Sequence, residues 1–513
     1  MSLFEEVLFP YQQVAASRIA SQKRLLLADQ PGLGKTLEVL GGLEVAGLLS
    51  RPSMVLILTP IINARSTWVD AVERFVKPRY PDCVVVDVSV GSVKQKSAQF
   101  VGVDKSGVVF VVANHNALDW VKGGVRVPEL GVIVWDAVVV DESHLVLPIR
   151  DHRKLTNFWK GLLRVHQSPD CLRVAVSGTP DRGKLENRYG SWWFLDSRNV
   201  SSNRWQWLEE NFWVIEQKVA RNRSVRVVQS LKNESAWLST DREWMVRRTK
   251  AEVLPELPPK RYVDVELDLG KGQRSSYLVQ QLESASKLVE AKDEGRDNGE
   301  AMVFAIRARQ LSCCSWVVDE QGETVPVVGG ESVKFEWLLE WLSERGFVEF
   351  DSMSDADAKV VIVSQFSKVL RWLKEELALV GVRAEVLDGS AKNVDRSKIQ
   401  AEFQDGDLRV VLLSGTMGVG ITLDKADDLI MFDSPYDPDR VEQIEDRVHR
   451  ASNLHSVTIW SLVAVDTIEQ AIMERLSKRY KTTRALLDGS RGVEFGRNVI
   501  SMIRREASNG LGE

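Results

Sequence analysis

The sequence predicts an α/β protein with doubly wound parallel sheets in two domains. Short runs of β-branched residues alternate with helical patterns, and 513 residues exceed what one hydrophobic core usually supports. Candidate strands of a first domain lie at residues 55–58, 84–86, 108–112, 138–140 and 174–176. Those of a second domain lie at residues 360–363, 384–387, 410–413, 429–432 and 458–461. In open sheets of this kind, ligands bind at the carboxyl ends of the strands.

The first candidate site is the loop DQPGLGKT at residues 29–36, which joins an apolar strand at 25–28 to an apolar helix. Gly32 and Gly34 let the backbone turn tightly and direct its N–H groups at phosphate oxygens. Lys35 is then expected to reach the β- and γ-phosphates of a nucleotide, and the Thr36 hydroxyl to hold Mg²⁺. Asp29 occupies a position that is glycine in the general phosphate-loop pattern. The sequence therefore predicts a phosphate-binding loop.

Two adjacent acids, Asp141 and Glu142, follow an apolar strand at residues 137–140. Asp141 would hold Mg²⁺ directly or through water, and Glu142 would orient and deprotonate the water that attacks the γ-phosphate. A solvated Asp-Glu turn is the alternative explanation. Because a phosphate loop precedes this pair in the chain, we favour an ATP-hydrolysing site.

These motifs, DQPGLGKT and DESH at 141–144, resemble motifs I and II of helicase superfamily two. Other segments follow in the order found in Swi/Snf-like ATPases. They are LFPYQ at 8–12, SGTP at 177–180, MVRRTK at 245–250, LPPK at 257–260, VSQF at 363–366, LDGS at 387–390, GVGI at 418–421, FDSPYDP at 432–438 and QIEDRVHR at 443–450. Two positions depart from the family pattern: Gly415 stands where an arginine is frequent, and residues 451–453 replace the usual IGQ.

The resemblance implies two RecA-like lobes with ATP in the cleft between them. It assigns adenine recognition to Gln12 and the role of arginine fingers to Arg447 and Arg450. It also implies grip on a nucleic-acid backbone by two sets of residues. They are Thr59 and Pro60 in the first lobe, and Ser364, Gln365 and Thr416 in the second.

We predict five segments from these motifs. They are a first RecA-like ATP-binding lobe at 1–184, a helical protrusion at 185–250, a linker and second helical protrusion at 251–345, a second RecA-like lobe at 346–490 and a C-terminal tail at 491–513.

The first protrusion carries a basic run at Arg221, Arg223 and Arg226, which is either a phosphate contact or a solvated hairpin turn with charged flanks. It also holds seven tryptophans between residues 192 and 244. Tryptophans can stack on exposed bases, but in a small insertion we favour a core role for them.

Bulk properties fit a cytoplasmic motor, and we separately expect it to act as a monomer. The four cysteines lack metal-ligand spacing and are expected to be reduced core thiols. There is no secretory leader or apolar stretch of membrane-spanning length in the sequence. A formal net charge of −5 requires any phosphate-binding surface to be a local basic track. The protein would be nuclear if its source were eukaryotic.

The sequence thus favours an ATP-dependent double-stranded-DNA translocase with ATP and Mg²⁺ as cofactors. The short chain suggests a bacterial or bacteriophage protein of replication, recombination or repair. A strand-separating or annealing helicase is one alternative, and an ATP-gated DNA clamp that recruits partners is another.

Overall fold

A computed structural model describes residues 2–149, 154–181, 184–220, 223–293, 297–320, 323–348, 358–389, 393–415, 421–450 and 455–474. The chain divides into two compact units, and the boundary between them lies between Pro255 and Glu256. None of the helices in these described ranges is both long and apolar enough to cross a membrane.

The first unit contains eleven strands among its described residues. They are β1 (Arg24–Leu27), β2 (Ser53–Thr59), β3 (Val84–Val88), β4 (Val108–Asn114), β5 (Trp120–Val121), β6 (Gly124–Val125), β7 (Val134–Val140), β8 (His166–Val176), β9 (Phe212–Ala220), β10 (Arg223–Leu231) and β11 (Met245–Val246).

Its α-helices are mostly short. They are α1 (Leu3–Glu6), α2 (Pro10–Gln22), α3 (Lys35–Val45), α4 (Ile61–Asn63), α5 (Val93–Ala98), α6 (Glu129–Val132), α7 (Asn157–Leu162), α8 (Arg188–Leu195), α9 (Arg204–Asn211), α10 (Glu234–Trp244) and α11 (Lys250–Val253). Two π-helical segments (Ala64–Val69 and Val72–Val76) and three 3₁₀ turns (His115–Leu118, Ser143–Leu145 and Leu185–Asn187) complete the unit.

Seven of these strands form one sheet in the order β11-β1-β8-β7-β2-β4-β3, and every neighbouring pair is parallel. The valine-rich strands are buried on both faces, and all seven residues of β4 are buried. The loops after β1, β7 and β8 therefore meet at one edge of the sheet. These loops carry the phosphate loop, the Asp141–Glu142 pair and the SGTP motif.

The second unit repeats this architecture. Its strands are β12 (Arg261–Leu267), β13 (Trp316–Val318), β14 (Thr324–Pro326), β15 (Val360–Ser364), β16 (Ala384–Leu387), β17 (Val410–Ser414), β18 (Asp428–Met431) and β19 (Thr458–Ala464). Its helices are α12 (Lys271–Asp293), α13 (Asp297–Cys313), α14 (Val333–Glu344), α15 (Ser367–Leu379), α16 (Asn393–Asp405) and α17 (Pro438–Val448). Six strands form a parallel sheet in the order β12-β19-β18-β15-β17-β16. The predicted α/β class with two parallel-sheet domains is confirmed.

The insertion after the first sheet differs from the mainly helical expectation. Strands β9 and β10 form an antiparallel hairpin there, and β12 joins the second sheet as an edge strand. Strand β12 alternates polar and apolar residues, and the hairpin strands mix them without a regular period. Their hydrophobic signal is therefore weaker than that of strands buried on both faces. Helices α8, α9 and α10 account for the helical part of the insertion.

Three of the seven tryptophans of this insertion form its core. Trp192, Trp207 and Trp237 are buried, and their rings contact one another with centroids 4.8 to 6.0 Å apart. Three others are half-buried, and Trp213 has 58% of its surface exposed on the hairpin. All four cysteines are buried and unpaired, in agreement with their prediction as core thiols.

Candidate nucleotide and nucleic-acid sites

The phosphate loop leaves β1 and enters α3 through two left-handed glycines. Gly32 has φ of +87° and Gly34 has φ of +83°, values that L-residues with a Cβ atom adopt rarely. A Cβ atom on Gly34 would also lie 2.3 Å from the Gln12 amide nitrogen, so both the conformation and the space require glycine. The Lys35 ammonium donates to the Asp29 carbonyl at 2.7 Å and is thus held at the loop.

Gln12 is fastened to this loop. Its amide nitrogen donates to the Leu33 carbonyl at 2.9 Å, and its amide oxygen accepts from the Phe9 N–H at 3.0 Å. The side chain is buried, which fixes the amide between helix α2 and the phosphate loop. The predicted contact with adenine stays a prediction.

Asp141 directly follows β7, and neutral side chains hold its carboxylate. Oδ2 accepts from Thr59 Oγ1 at 2.8 Å, from Trp68 Nε1 at 2.9 Å and from Asn63 Nδ2 at 3.2 Å. Among the described residues, Oδ1 accepts only the N–H of Glu142, at 2.9 Å, and therefore keeps a free lone pair.

This arrangement fits a divalent cation. Across the described ranges, no Lys, Arg or His side chain pairs with the Asp141 carboxylate, so its charge is not neutralised from within the chain. Carboxylate and hydroxyl oxygens are the ligands that Mg²⁺ prefers. Asp141 and the half-buried Thr36 hydroxyl are the residues that would hold it.

Glu142 has an unusual backbone conformation, with φ of 45° and ψ of 46°. For a residue with a side chain this left-handed geometry costs roughly 1–3 kcal/mol, and such outliers concentrate at functional sites. His144 Nδ1 lies 3.3 Å from Glu142 Oε2 and 2.8 Å from Ser177 Oγ. The imidazole therefore links the acid after β7 to the SGTP motif after β8.

The buried Thr59 side chain differs from its prediction as a nucleic-acid contact. It is fully buried and its hydroxyl is committed to Asp141, so it cannot reach a backbone phosphate from this position. Ser364 in the second unit is also fully buried, and its hydroxyl donates to the Asp433 carboxylate. Each hydroxyl donates to an aspartate that follows a neighbouring strand. Pro60 is half-buried and its contact stays a prediction.

Gln365 occupies the space beside Gly415, one of the two departures from the family pattern. A Cβ atom on Gly415 would lie 1.7 Å from the Gln365 amide nitrogen, so the amide would have to move to admit a side chain at position 415. The predicted nucleic-acid contact of Gln365 is untested by this geometry. Thr416 lies outside the described residues.

Helix α17 of the second unit leads into Arg447 and Arg450. Arg450 Nη2 donates to the Ile421 carbonyl at 3.2 Å, and Arg447 Nη1 lies 3.5 Å from the same oxygen. Burial lowers the pKa of Arg450, and Asp424 and Asp446 oppose that shift. The guanidinium nonetheless stays charged at neutral pH. The predicted role of both residues as arginine fingers stays a prediction.

The basic run of the insertion is only partly described. Arg221 and the side chain of Arg223 lie outside the described residues. Arg226 Nη1 is 3.0 Å from Glu209 Oε1, and the guanidinium lies 5.3 Å from the centre of the Trp205 ring. An arginine engaged in this way fits the alternative of a charged hairpin flank, and its contact with phosphate stays a prediction.

The motif RRTK at residues 247–250, which had no predicted role, contacts the phosphate loop directly. Arg248 Nε donates to Asp29 Oδ2 at 2.9 Å, and Arg247 Nη1 donates to the carbonyls of Ala28 and Gly178 at 2.8 and 2.7 Å. Motif resemblance flagged these arginines. Only the fold shows that Ala28 and Asp29 lie 219 residues earlier in the chain than these arginines, and Gly178 69 residues earlier than Arg247.

Comparison with known proteins gives the family. The model of the SNF2-related domain matches residues 12–316, and that of the helicase conserved C-terminal domain matches residues 334–452. The chain is 24% identical over 493 residues to a probable chromatin-remodeling complex ATPase chain of Oryza sativa subsp. japonica, covering 91% of this chain and 39% of the rice protein. It is 24% identical over 511 residues to a Mus musculus SWI/SNF-related, matrix-associated, actin-dependent regulator of chromatin, subfamily A member 1, covering 94% and 44%.

The chain thus spans about two fifths of the length of these relatives. Among solved structures, the Sulfolobus solfataricus SWI2/SNF2 ATPase core in complex with dsDNA is similar over 95% of this chain and 94% of that one, with 20% identity and a TM-score of 0.40. The family assignment depends on the domain models, the first of which matches more than half of the chain. The chain belongs to the SNF2-related family, whose members are helicase-like, DNA-dependent ATP hydrolases.

Proposed function

We propose that the chain is an ATP-driven motor that moves along double-stranded DNA. The observation that carries the proposal is the Asp141–Glu142 pair at the same sheet edge as the phosphate loop, in a chain of the SNF2-related family. The setting we propose is replication, recombination or repair, with the chain acting as a monomer.

The relatives limit this proposal in two ways. Chromatin occurs in the names of both relatives given above, but the chain matches only about two fifths of their length. The proposal therefore concerns the motor and not a chromatin substrate. Both relatives come from eukaryotes, Oryza sativa and Mus musculus, so a bacterial or bacteriophage source has no support from them.

The chemistry we propose is hydrolysis of the terminal phosphate of ATP. The Glu142 carboxylate accepts a proton from water as the water oxygen bonds to the γ-phosphorus and the bond to the bridging oxygen breaks. Lys35 and the loop N–H groups would bind the phosphates, and Gln12 the adenine. Mg²⁺ bound by Asp141 and Thr36 would supply positive charge to the phosphates. Arg447 and Arg450 would stabilise the charge that develops in the transition state.

Movement requires contacts that do not depend on base sequence. Contacts to phosphate and sugar have this property, and we propose that the motor uses them. A net charge of −5 is compatible with such contacts only where basic side chains cluster locally, because salt screens charges that lie farther away than a Debye length of about 8 Å. Pro60, Gln365, Thr416, Arg221 and Arg223 remain our candidates.

The experiment compares ATP turnover with double-stranded DNA, single-stranded DNA, RNA and forked DNA side by side. We expect the strongest stimulation by double-stranded DNA. ATP-dependent displacement of the third strand of a triplex would then report tracking, and a duplex with a single-stranded tail should stay intact.

Other outcomes separate the alternatives. Efficient unwinding of the tailed duplex would favour a strand-separating helicase. DNA-stimulated hydrolysis with neither displacement nor unwinding would favour a stationary clamp. Lys35→Ala is the negative control, because loss of the loop ammonium should abolish most productive ATP binding.

A further inference from the structure

Residues 246–260, which we call the strap, leave the edge strand β11 and run to the start of β12. The first part of the strap lies along the phosphate loop. The N–H of Ala28 donates to the Val246 carbonyl at 2.7 Å, and the N–H of Gln30 donates to the Arg248 carbonyl at 3.0 Å. The parallel pairing of β11 with β1 therefore continues beyond the strands and into the loop.

Arg248 anchors the first residue of the phosphate loop. Its guanidinium pairs with Asp29 and, at 2.8 Å, with Glu38 Oε1 on helix α3. Both carboxylates are fully buried. The two acids therefore share one guanidinium away from solvent. Burial raises the pKa of Glu38 well above its ordinary value, and Asp29 acts in the same direction. Without Arg248 the two acids would lose this cation and the loop would lose its anchor.

Lys250 extends the contact to the middle of the loop. Its N–H donates to Gln30 Oε1 at 2.8 Å, and its side-chain Cε lies 3.2 Å from the position of a Cβ atom on Gly32. The side chain is buried against the loop. With Arg247 on the Ala28 carbonyl, the strap touches four of the five residues from 28 to 32.

The other end of the strap is fastened to helix α17 within the second unit. The Pro258 carbonyl lies 2.7 Å from His449 Nε2, and the Lys260 ammonium lies 2.8 Å from Glu445 Oε2 and 3.3 Å from Asp446 Oδ1. Burial alone lowers the pKa of Lys260, but the Asp446 and Glu445 carboxylates outweigh it and raise that pKa well above its ordinary value. The strap therefore holds the helix that carries Arg447.

The part between these two ends is short and stiff. It consists of helix α11 and then the residues LPELPP at 254–259. Pro255, Pro258 and Pro259 each fix their own φ near about −65°, and each restricts the residue before it. A displacement of one end is therefore passed along the chain rather than absorbed by it.

We propose that the strap is a positioning device that joins the phosphate loop to the helix of Arg447 and Arg450, with Arg248 and Lys260 as its two anchors. This inference rests on the proposed function, since it assigns to the strap the coupling between nucleotide binding and DNA-stimulated turnover. It needs no direct contact of the strap with nucleotide.

The first test measures ADP affinity with a fluorescent ADP analogue. Arg248→Met should weaken ADP binding by at least about tenfold, because the lost bonds join charged groups. Arg248→Lys keeps the positive charge but loses the planar set of donors that contacts two acids at once, and it should recover part of the ADP affinity. Arg242→Met, on the exposed face of α10, is the matched control. Urea unfolding of each variant separates loss of the fold from loss of affinity, and near-normal ADP binding in a folded Arg248→Met protein would overturn the anchor.

The second test lengthens the strap. Insertion of Gly-Ser-Gly-Ser between Pro255 and Glu256 should leave ADP affinity within about twofold, because the loop keeps Arg248. It should lower DNA-stimulated turnover by roughly 10²-fold, the scale at which misplacement of catalytic groups acts. The same insertion after Gly102, in an exposed loop of the first unit, is the control. Lys260→Met should reproduce the loss of turnover with ADP affinity intact.

Unchanged DNA-stimulated turnover in the lengthened strap would overturn the coupling. If the unmodified chain hydrolyses no ATP with any nucleic acid, the proposed function fails. The role of Arg248 as an anchor is then tested by the ADP affinities of its variants alone. Failure of the proposed function and failure of the anchor are therefore distinguishable.

Discussion

The two units place an aspartate at corresponding points of their sheets and give it different partners. Asp141 follows β7, and Thr59 at the end of the neighbouring β2 donates to it. Asp433 follows β18, and Ser364 at the end of the neighbouring β15 donates to it. Strand, hydroxyl and carboxylate thus repeat from one unit to the other.

The charge of the remaining partners separates the two aspartates. Asn63 and Trp68, both neutral, complete the shell of Asp141. Asp433 instead receives the Arg309 guanidinium, whose Nη2 lies 2.7 Å from Oδ1. The ring of Tyr436 lies 4.5 Å from this guanidinium. Among the described residues, one scaffold therefore yields a carboxylate that has only neutral donors and another that is paired with a guanidinium.

Substitution of the residue after each aspartate should give the largest difference between the two units, and ATP turnover measures it. Glu142 carries a carboxylate in a strained backbone conformation, whereas Ser434 offers its carbonyl to Arg309. Glu142→Gln should bind ATP and lose roughly 10²–10⁴-fold in turnover, the range of a general base. Ser434→Ala is the control and should turn over normally. Near-normal DNA-stimulated turnover of Glu142→Gln would identify another residue as the base.

Removal of the cation in the second unit should cost stability. Arg309→Met leaves a buried carboxylate uncompensated, which costs about 3–5 kcal/mol. Urea unfolding measures this loss. Alkylation adds a local readout, because Cys313 Sγ lies 4.0 Å from Asp433 Oδ2 and its pKa is held well above the ordinary value by burial and by Asp433. In folded Arg309→Met, Cys313 should react more slowly, because the uncompensated Asp433 raises the pKa of the thiol further. The first-unit Cys171 should keep its rate. Equal stability of the variant and the parent would refute the charge argument.

The neutral donors should matter less and should matter equally. Asn63→Ala and Ser364→Ala each delete one hydrogen bond to a buried carboxylate, worth about 1–3 kcal/mol. We expect urea unfolding to show similar losses for the two variants. A much larger loss of stability for Asn63→Ala would mean that the bond from Asn63 is the main stabilising contact of the Asp141 carboxylate. The two aspartates would then be less alike than their geometry indicates.

The smallest expected effect is a pH dependence of the free energy of unfolding. It extends the comparison to the number of acids that each buried guanidinium serves. Asp433 has one guanidinium, whereas in the first unit Arg188 serves two buried acids, Asp181 and Asp241. Burial raises the pKa of Asp241 to about 6, against the pull of Arg188.

Because the folded-state pKa lies above the unfolded value of about 3.9, the stabilising effect of protonated Asp241 is lost as pH rises through about 6. Between about pH 5 and pH 7.5 this loss amounts to about 1 kcal/mol. Urea unfolding followed by tryptophan fluorescence should show it, and Asp241→Asn should abolish it. An identical pH profile in the variant would contradict the assignment to Asp241.

Much of the fold and of the nucleotide site follows from local sequence. Strands such as β4 and β15 are apolar on both faces, and that pattern needs no partner to be recognised. Gly32, Gly34, Lys35 and the acids after β7 are close in sequence to the elements that position them. The hairpin of β9 and β10 was anticipated only as one explanation of the basic run, because its strands mix polar and apolar residues without a regular period.

The sequence by itself determined the two parallel-sheet domains and which loops carry the chemistry, because both depend on short-range patterns. Tertiary structure alone decided that Thr59 and Ser364 face inward and that Asp433 receives Arg309 while Asp141 stays unpaired with a cation within the described chain. It also decided that Arg248 closes on Asp29 across 219 residues of sequence. The physical reason is that burial and ion pairing depend on which distant segments of the chain pack together. The strand order brings those segments together, and the spacing of a single motif does not predict it.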